Sequence, residues 1–136
     1  MKDLRVLVVD DSAYNRRTLT EILRSLEGVE VVGKATDGDE ALRMVRELSP
    51  DLVTLDLEMP RMDGFTFLRL LMARRPTPVI VVSGYSNPVN VFRALELGAL
   101  DFVAKPTRTV TTDLHVIHEE LAEKVAMVRQ LKPFDA

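Results

Sequence analysis

The chain has no cysteine among its 136 residues, which excludes disulfides, thiolate metal sites and a cysteine nucleophile. Any chemistry must come from oxygen and nitrogen. No apolar run approaches the ~18 residues of a membrane span. The opening Met1-Lys2-Asp3-Leu4-Arg5 lacks the apolar region of a secretory signal, so a cytoplasmic protein is expected. Positive charge is also scarce: 18 Lys and Arg stand against 21 Asp and Glu, a formal net charge of -3. That is the wrong sign for a general polyanion binder, because phosphate backbones demand a basic face. Neither direct nucleic-acid binding nor membrane contact is expected. Internal repeats, low-complexity stretches and the G-x-S-x-G nucleophile elbow are all missing. What remains, 46% hydrophobic and 29% charged residues, suits one soluble globular domain with a single core.

The pattern along the chain is an alternation. Leu4 to Val9 is a short Val-rich run without polar alternation, and reads as a strand buried on both faces. From Ser12 to about Leu26, Tyr14, Leu19, Ile22, Leu23 and Leu26 recur at helical spacing between Arg16, Arg17, Glu21 and Arg24. Glu30 to Ala35 is a second strand. Asp37 with Glu40 forms a capping-box pattern ahead of a helix carrying Ala41, Leu42, Met44, Val45 and Leu48. Asp51 to Leu55 is a third strand, and after Asp63-Gly64 the residues Phe65, Phe67, Leu68, Leu71 and Met72 mark a third helix. The β-branched run Pro78 to Val82 reads as an interior fourth strand. Asn87-Pro88 opens a helix that Gly98 closes. Leu100 to Ala104 is a fifth strand, and Leu114, Ile117, Leu121, Val125 and Val128 form the stripe of a fifth helix. Five strands alternating with five helices predict an α/β fold with a doubly wound parallel sheet. One domain is expected over residues 1–129, with 130–136 a tail or the start of a linker.

In an open parallel sheet, ligands bind outside the carboxyl ends of the strands. There this sequence places Asp10 and Asp11, Asp56, Ser83 and Lys105 after the first, third, fourth and fifth strands. Each has an ordinary explanation alone: Asp10-Asp11-Ser12 as helix-capping residues, Ser83 as a loop residue, Lys105 as a surface lysine. Their co-location is what carries weight. In the flavodoxin-like strand order 2-1-3-4-5, three carboxylates, a hydroxyl and an ammonium converge on one rim. Three carboxylates in contact cannot all stay ionised without a cation, and oxygen ligands without His or Cys suit Mg²⁺ (or Mn²⁺), which favours one or two carboxylates plus phosphate oxygens. Three carboxylates, one divalent cation and one Lys sum to neutrality. Such a pocket can accept a phosphoryl group on a carboxylate nucleophile.

These residues resemble the receiver domains of two-component response regulators over nearly the whole chain, from about Leu4 to Val128. The matching segments are Val8-Val9-Asp10-Asp11-Ser12, Leu55-Asp56-Leu57-Glu58-Met59-Pro60-Arg61-Met62-Asp63-Gly64, Val82-Ser83-Gly84 and Asp101-Phe102-Val103-Ala104-Lys105-Pro106. The resemblance implies that Asp56 is phosphorylated by a phosphohistidine on a partner histidine kinase. It implies a metal held by Asp10, Asp11, Asp56 and the Glu58 main-chain carbonyl, with Ser83, the Gly84 N–H and Lys105 on the phosphoryl oxygens. It further implies a cis Lys105-Pro106 bond. Phe102 is implied as an aromatic switch that reshapes the surface of the fourth helix, fifth strand and fifth helix, where an output domain or protein is engaged. Ser83 stands where Thr is also frequent, and Phe102 where Tyr is, so switching would rest on packing without a tyrosyl hydrogen bond. Glu58 and Tyr85, each two residues beyond a site residue, are placed to set the lifetime of the phosphate.

A finer resemblance, carried by Thr54 to Pro60, Thr66-Phe67-Leu68 and Arg93 to Pro106, is to the regulatory domain of chemotaxis protein-glutamate methylesterases. In those a linker and a serine-hydrolase domain follow. The loop Gly84-Tyr85-Ser86-Asn87-Pro88 departs from their Ser/Thr-rich stretch. The chain is therefore expected to be either such a regulatory domain alone or a stand-alone receiver, and not itself a methylesterase. Two rivals fit less well. A haloacid-dehalogenase-type phosphatase wants a second Asp where Glu58 stands, and a flavodoxin-like cofactor carrier would set Asp10-Asp11 against its phosphate. His115 and His118, Arg16-Arg17 and Arg74-Arg75 read as solvated helix faces, the six Met as core filler, and Phe92 and Leu95 as core residues.

Overall fold

The structure is a computed structural model that describes residues 3–84, 88–105 and 114–131. Its elements are β1 (Leu4–Val9), α1 (Ala13–Ser25), β2 (Val29–Ala35), α2 (Gly38–Leu48), β3 (Leu52–Leu55), α3 (Gly64–Arg74), β4 (Val79–Ser83), α4 (Pro88–Glu96), β5 (Asp101–Ala104) and α5 (Leu114–Leu131). All strand pairs are parallel, in the order β2-β1-β3-β4-β5. This is the expected doubly wound sheet with its flavodoxin-like order.

Alternation along the strands builds two cores. Leu4, Val6 and Val8 of β1, with Ile80 and Val82 of β4, face Leu19 and Leu23 of α1 and Ile117, Leu121, Val125 and Val128 of α5. The intervening Leu7, Val9, Val53, Leu55, Val79 and Val81 face Ala41 and Val45 of α2, Phe67, Leu68 and Leu71 of α3, and Ala94 of α4. A strand apolar at every position is what a sheet covered on both sides requires.

The helix starts are set by side-chain caps. Ser12, Asp37 and Asp63 accept the N–H groups of Asn15, Glu40 and Thr66, satisfying donors that have no partner within the helix. Glu40 completes its motif one residue early, accepting from the Thr36 N–H at 2.8 Å in place of the Asp37 N–H. Gly98, at φ +117°, ends α4 in a backbone region that side chains rarely adopt.

Four apolar assignments are corrected. Tyr14 is 68% exposed, because it sits at the start of α1 before the helix settles onto the sheet. Phe92 is 68% and Leu95 42% exposed: α4 turns only Ala94 fully inward, leaving most of its apolar surface to solvent. Leu114 is likewise exposed, one turn ahead of the buried stripe of α5. That last helix runs two residues beyond Arg129, to Leu131.

Candidate functional site

Parallel pairing brings the acidic residues together. The Asp10 N–H donates to the Ala35 carbonyl at 3.0 Å and the Asp56 N–H to the Val9 carbonyl at 2.9 Å, so both residues extend the sheet's hydrogen bonding one step past its strands. One carboxylate oxygen from each of Asp10, Asp11 and Asp56 lies within 4.8 Å of the others. Asp10 is fully buried, Asp56 is 6% exposed, and Asp11 faces solvent. Helix capping does not account for them. Ser12 is the cap of α1, while Asp10 Oδ1 accepts the Ser12 N–H at 2.9 Å and its other oxygen faces the cluster's cation.

That cation is Lys105. Its N–H donates to the Ser83 carbonyl at 3.0 Å, which ties the end of β5 to the end of β4. Its side chain is only 9% exposed; Nζ pairs with Asp10 Oδ2 and stands 3.5 Å from Asp56 Oδ2. A surface lysine would not be buried between two carboxylates. Asp10 Oδ2 has no hydrogen bond beyond this ion pair.

Asp56 carries the electrostatic burden of the site. Its Oδ1 accepts the Glu58 N–H at 3.3 Å. Burial pushes its pKa up to about 7; the Lys105 ammonium and the Glu58 N–H oppose the rise, and the charges of Asp10 and Asp11 add to it. The carboxyl group is held where a nearby positive charge would ionise it. An oxygen-only set of three carboxylates, one of them destabilised as an anion, fits a hard divalent cation such as Mg²⁺. Among the described residues no other group of three His, Asp or Glu side chains could hold a metal. His115 pairs with Glu119 at 3.0 Å, and His118 Nε2 lies 3.0 Å from Ser25 Oγ.

The remaining expected residues have more varied surroundings. Ser83 is buried at the end of β4, and Gly84 beside it is exposed, with nothing within 4 Å of where a Cβ would stand. Glu58 is exposed. Phe102 is half-buried against the core under α2, α3 and α4. Its N–H donates to Asp101 Oδ1 at 2.8 Å, and Asp101 Oδ2 pairs with Lys124 of α5, also at 2.8 Å. Tyr85 and Pro106, and with Pro106 the expected cis bond, lie outside the described residues.

Two residues do more than the sequence suggests, and Arg16 is not the solvated side chain expected of it. Gly64 opens α3 so close to the end of β3 that a Cβ would stand 2.6 Å from both the Asp56 carbonyl oxygen and Leu57 Cα; the Asp63-Gly64 pair signals a turn but not this approach. Arg16 donates from Nη1 to the Asp10 carbonyl at 2.8 Å, a contact with no sequence signature.

Residues 6–116 match the family described as response regulator receiver domain. The chain is 58% identical over 131 residues to protein-glutamate methylesterase/protein-glutamine glutaminase 3 of Geobacter sulfurreducens, covering 96% of this chain and 35% of that protein. It is 55% identical to the enzyme numbered 1 of Myxococcus xanthus, covering 96% and 38%. The chain thus spans about a third of the length of the curated relatives it matches. Among solved structures, the response regulator domain of Thermotoga maritima CheB superposes with a TM-score of 0.88 at 40% identity, over 97% of this chain and all of that one. A chain of the CheX-CheY-BeF3-Mg complex of Borrelia burgdorferi is also similar, with a TM-score of 0.78 at 31% identity over 91% and 90% of the two chains. With a family match across most of its length and relatives above half identity, the chain belongs to the response regulator receiver domain family.

Proposed function

We propose that this domain is the phosphoacceptor switch of a two-component phosphorelay, with Asp56 as the acceptor. The reading rests above all on one observation: a buried Asp56 carboxylate beside Lys105, with oxygens of Asp10 and Asp11 within 4.8 Å. An Asp56 oxygen attacks the phosphorus of a phosphohistidine on the partner kinase. The P–O bond forms as the P–N bond breaks, and the bonding electrons leave with the imidazole nitrogen. Asp10, Asp11, Asp56 and the Glu58 carbonyl would hold Mg²⁺ or Mn²⁺, which when bound supplies the positive charge that phosphoryl transfer needs. Lys105 meets the added charge, turning from its carboxylates to a phosphoryl oxygen. Ser83 and the Gly84 N–H hydrogen-bond the others.

Moving Ser83 opens space that Phe102 fills, and the surface of α4, β5 and α5 changes. The exposed Val89, Phe92 and Leu95 of α4 make that face suited to an apolar partner. The relatives' names point to a methylesterase output in chemotaxis, whose catalytic part lies in the two thirds of those proteins beyond the match; the alternative is a stand-alone receiver. Glu58 and Tyr85 set the phosphate's lifetime by flanking the path of attacking water, and an unchanged dephosphorylation rate in both Glu58→Ala and Tyr85→Ala would remove that role. The acceptor role is tested by incubating the protein with Mg²⁺ and a small acyl-phosphate donor, then measuring intact mass. One added phosphoryl group on the wild type, absent from Asp56→Asn, is expected. Equal labelling of the variant, or none of the wild type, overturns the reading.

A further inference from the structure

An open groove of about 460 Å³ lies along α1 beside the edge strand β2. Its walls carry Arg16, Arg17, Arg24 and Lys34 against a single acid, Glu21. Lys34 pairs in register with Val8, whose side chain belongs to the core beneath α1, so Lys34 stands on the same side of the sheet as that helix. Glu21 lies one turn from Arg17 and from Arg24, yet among the described residues Arg17, Arg24 and Lys34 form no ion pair. In a protein of net charge -3, this is a local excess of unpartnered cations.

We infer that the α1–β2 groove is a docking site for an acidic helical segment of a partner protein. From Arg16 to Arg24 the cations span about 12 Å along the helix, a row that matches carboxylates at i, i+4 and i+7 of a second helix. They do not converge on one point, as a single phosphate would ask. Guanidinium forks pair with carboxylates in two parallel hydrogen bonds. Long polyanions are disfavoured by the protein's overall charge and by a basic strip only two turns long. The site has a built-in connection to the acidic cluster: Arg16, in its wall, holds the Asp10 carbonyl at 2.8 Å, and Ala13, at its end, follows Asp11 and Ser12 directly. A docked segment therefore ends beside the rim of Asp10, Asp11 and Asp56. This inference stands apart from the chemistry assigned to Asp56.

The test uses the full chain and a labelled helix-forming peptide bearing Glu at i, i+4 and i+7, its Gln counterpart, and inorganic tripolyphosphate. Binding is followed by fluorescence anisotropy and by backbone amide shifts. Saturable, salt-sensitive binding of the Glu peptide is expected, with shifts at Ala13 to Arg24 and at Lys34. The Gln peptide, and the Arg17→Glu/Arg24→Glu double variant, should each lose about tenfold or more in affinity. Circular dichroism should show the variant folded, as both sites are exposed. Arg74→Glu, on the opposite face of the sheet, should bind as wild type does. No binding, equal binding of the Gln peptide, shifts confined to other faces, or displacement of the peptide by tripolyphosphate at lower concentration would each overturn the inference.

Discussion

The tension in the site is held by single residues, and Asp56 holds most of it. Its pKa is raised from the ordinary 3.8 to about 7, so between those values the native metal-free domain binds a proton that the unfolded chain has lost. Stability must then fall as the pH rises across that window and level off above it. Denaturant titrations from pH 4 to pH 8 without metal should show that decline, and Asp56→Asn should flatten it. Added Mg²⁺ should stabilise the wild type more at pH 8 than at pH 5, because the ionised carboxyl group is the ligand. A pH profile identical in wild type and Asp56→Asn would show that burial does not strain this carboxylate. Gly64 makes a second residue-scale prediction, since a methyl group there meets backbone, which cannot swing aside as a side-chain tip can. Gly64→Ala should cost about 1–3 kcal/mol, as overpacking does, and slow phosphorylation at Asp56. Gly84→Ala, with open space around the same atom, should leave stability within about 0.5 kcal/mol of wild type. Urea midpoints of the two variants decide it.

The elements differ in how firmly they are held. Phe67 of α3 is fully buried at the centre of one core, and Phe92 of α4 is largely exposed. Removing both rings separates the roles: Phe67→Ala should lose about 3–5 kcal/mol of stability, and Phe92→Ala less than about 0.5 kcal/mol. A large loss for Phe92→Ala would show that α4 is packed in solution in a way its exposure contradicts. The same contrast explains why Phe92 and Leu95 were misread. Helical spacing reports that a face is apolar, not that anything covers it, and here α4 buries only Ala94. Tyr14 failed for a related reason, because periodicity carries no information about where a helix first touches its sheet. The Asp37 cap, by contrast, was legible, and Ser12 was among the capping candidates, because a cap is a local bond; Asp63 was read only as a break before α3, which it in fact caps.

Across the whole molecule the alternation of strands and helices was legible from the residues, while the strand order 2-1-3-4-5 entered as the flavodoxin-like arrangement, which the sheet adopts. Buried parallel strands must be continuous apolar runs, and the residue that ends each run lies at the carboxyl edge of the sheet. Asp10, Asp11, Asp56, Ser83 and Lys105 each end or follow such a run, and it is the strand order that makes those ends neighbours. Contacts that depend on the reach of long side chains were not legible, among them the Lys105 ion pair with Asp10 and the Arg16 bond to the Asp10 carbonyl, nor was it legible that Arg17 and Arg24 of α1 form no ion pair among the described residues. Charge, too, changes meaning at this scale. The net charge of -3 conceals acids gathered at the sheet's carboxyl edge and bases gathered beside it on one helix. The central claim, that this gathering makes Asp56 a phosphoryl acceptor, is tested most directly by locating the modification. After reaction with Mg²⁺ and an acyl-phosphate donor, hydride reduction converts an aspartyl phosphate into homoserine, which peptide mass mapping can place. Homoserine at position 56 alone, and none when Mg²⁺ is chelated, is the predicted result; homoserine at Asp10, Asp11 or elsewhere with Asp56 intact would contradict the account.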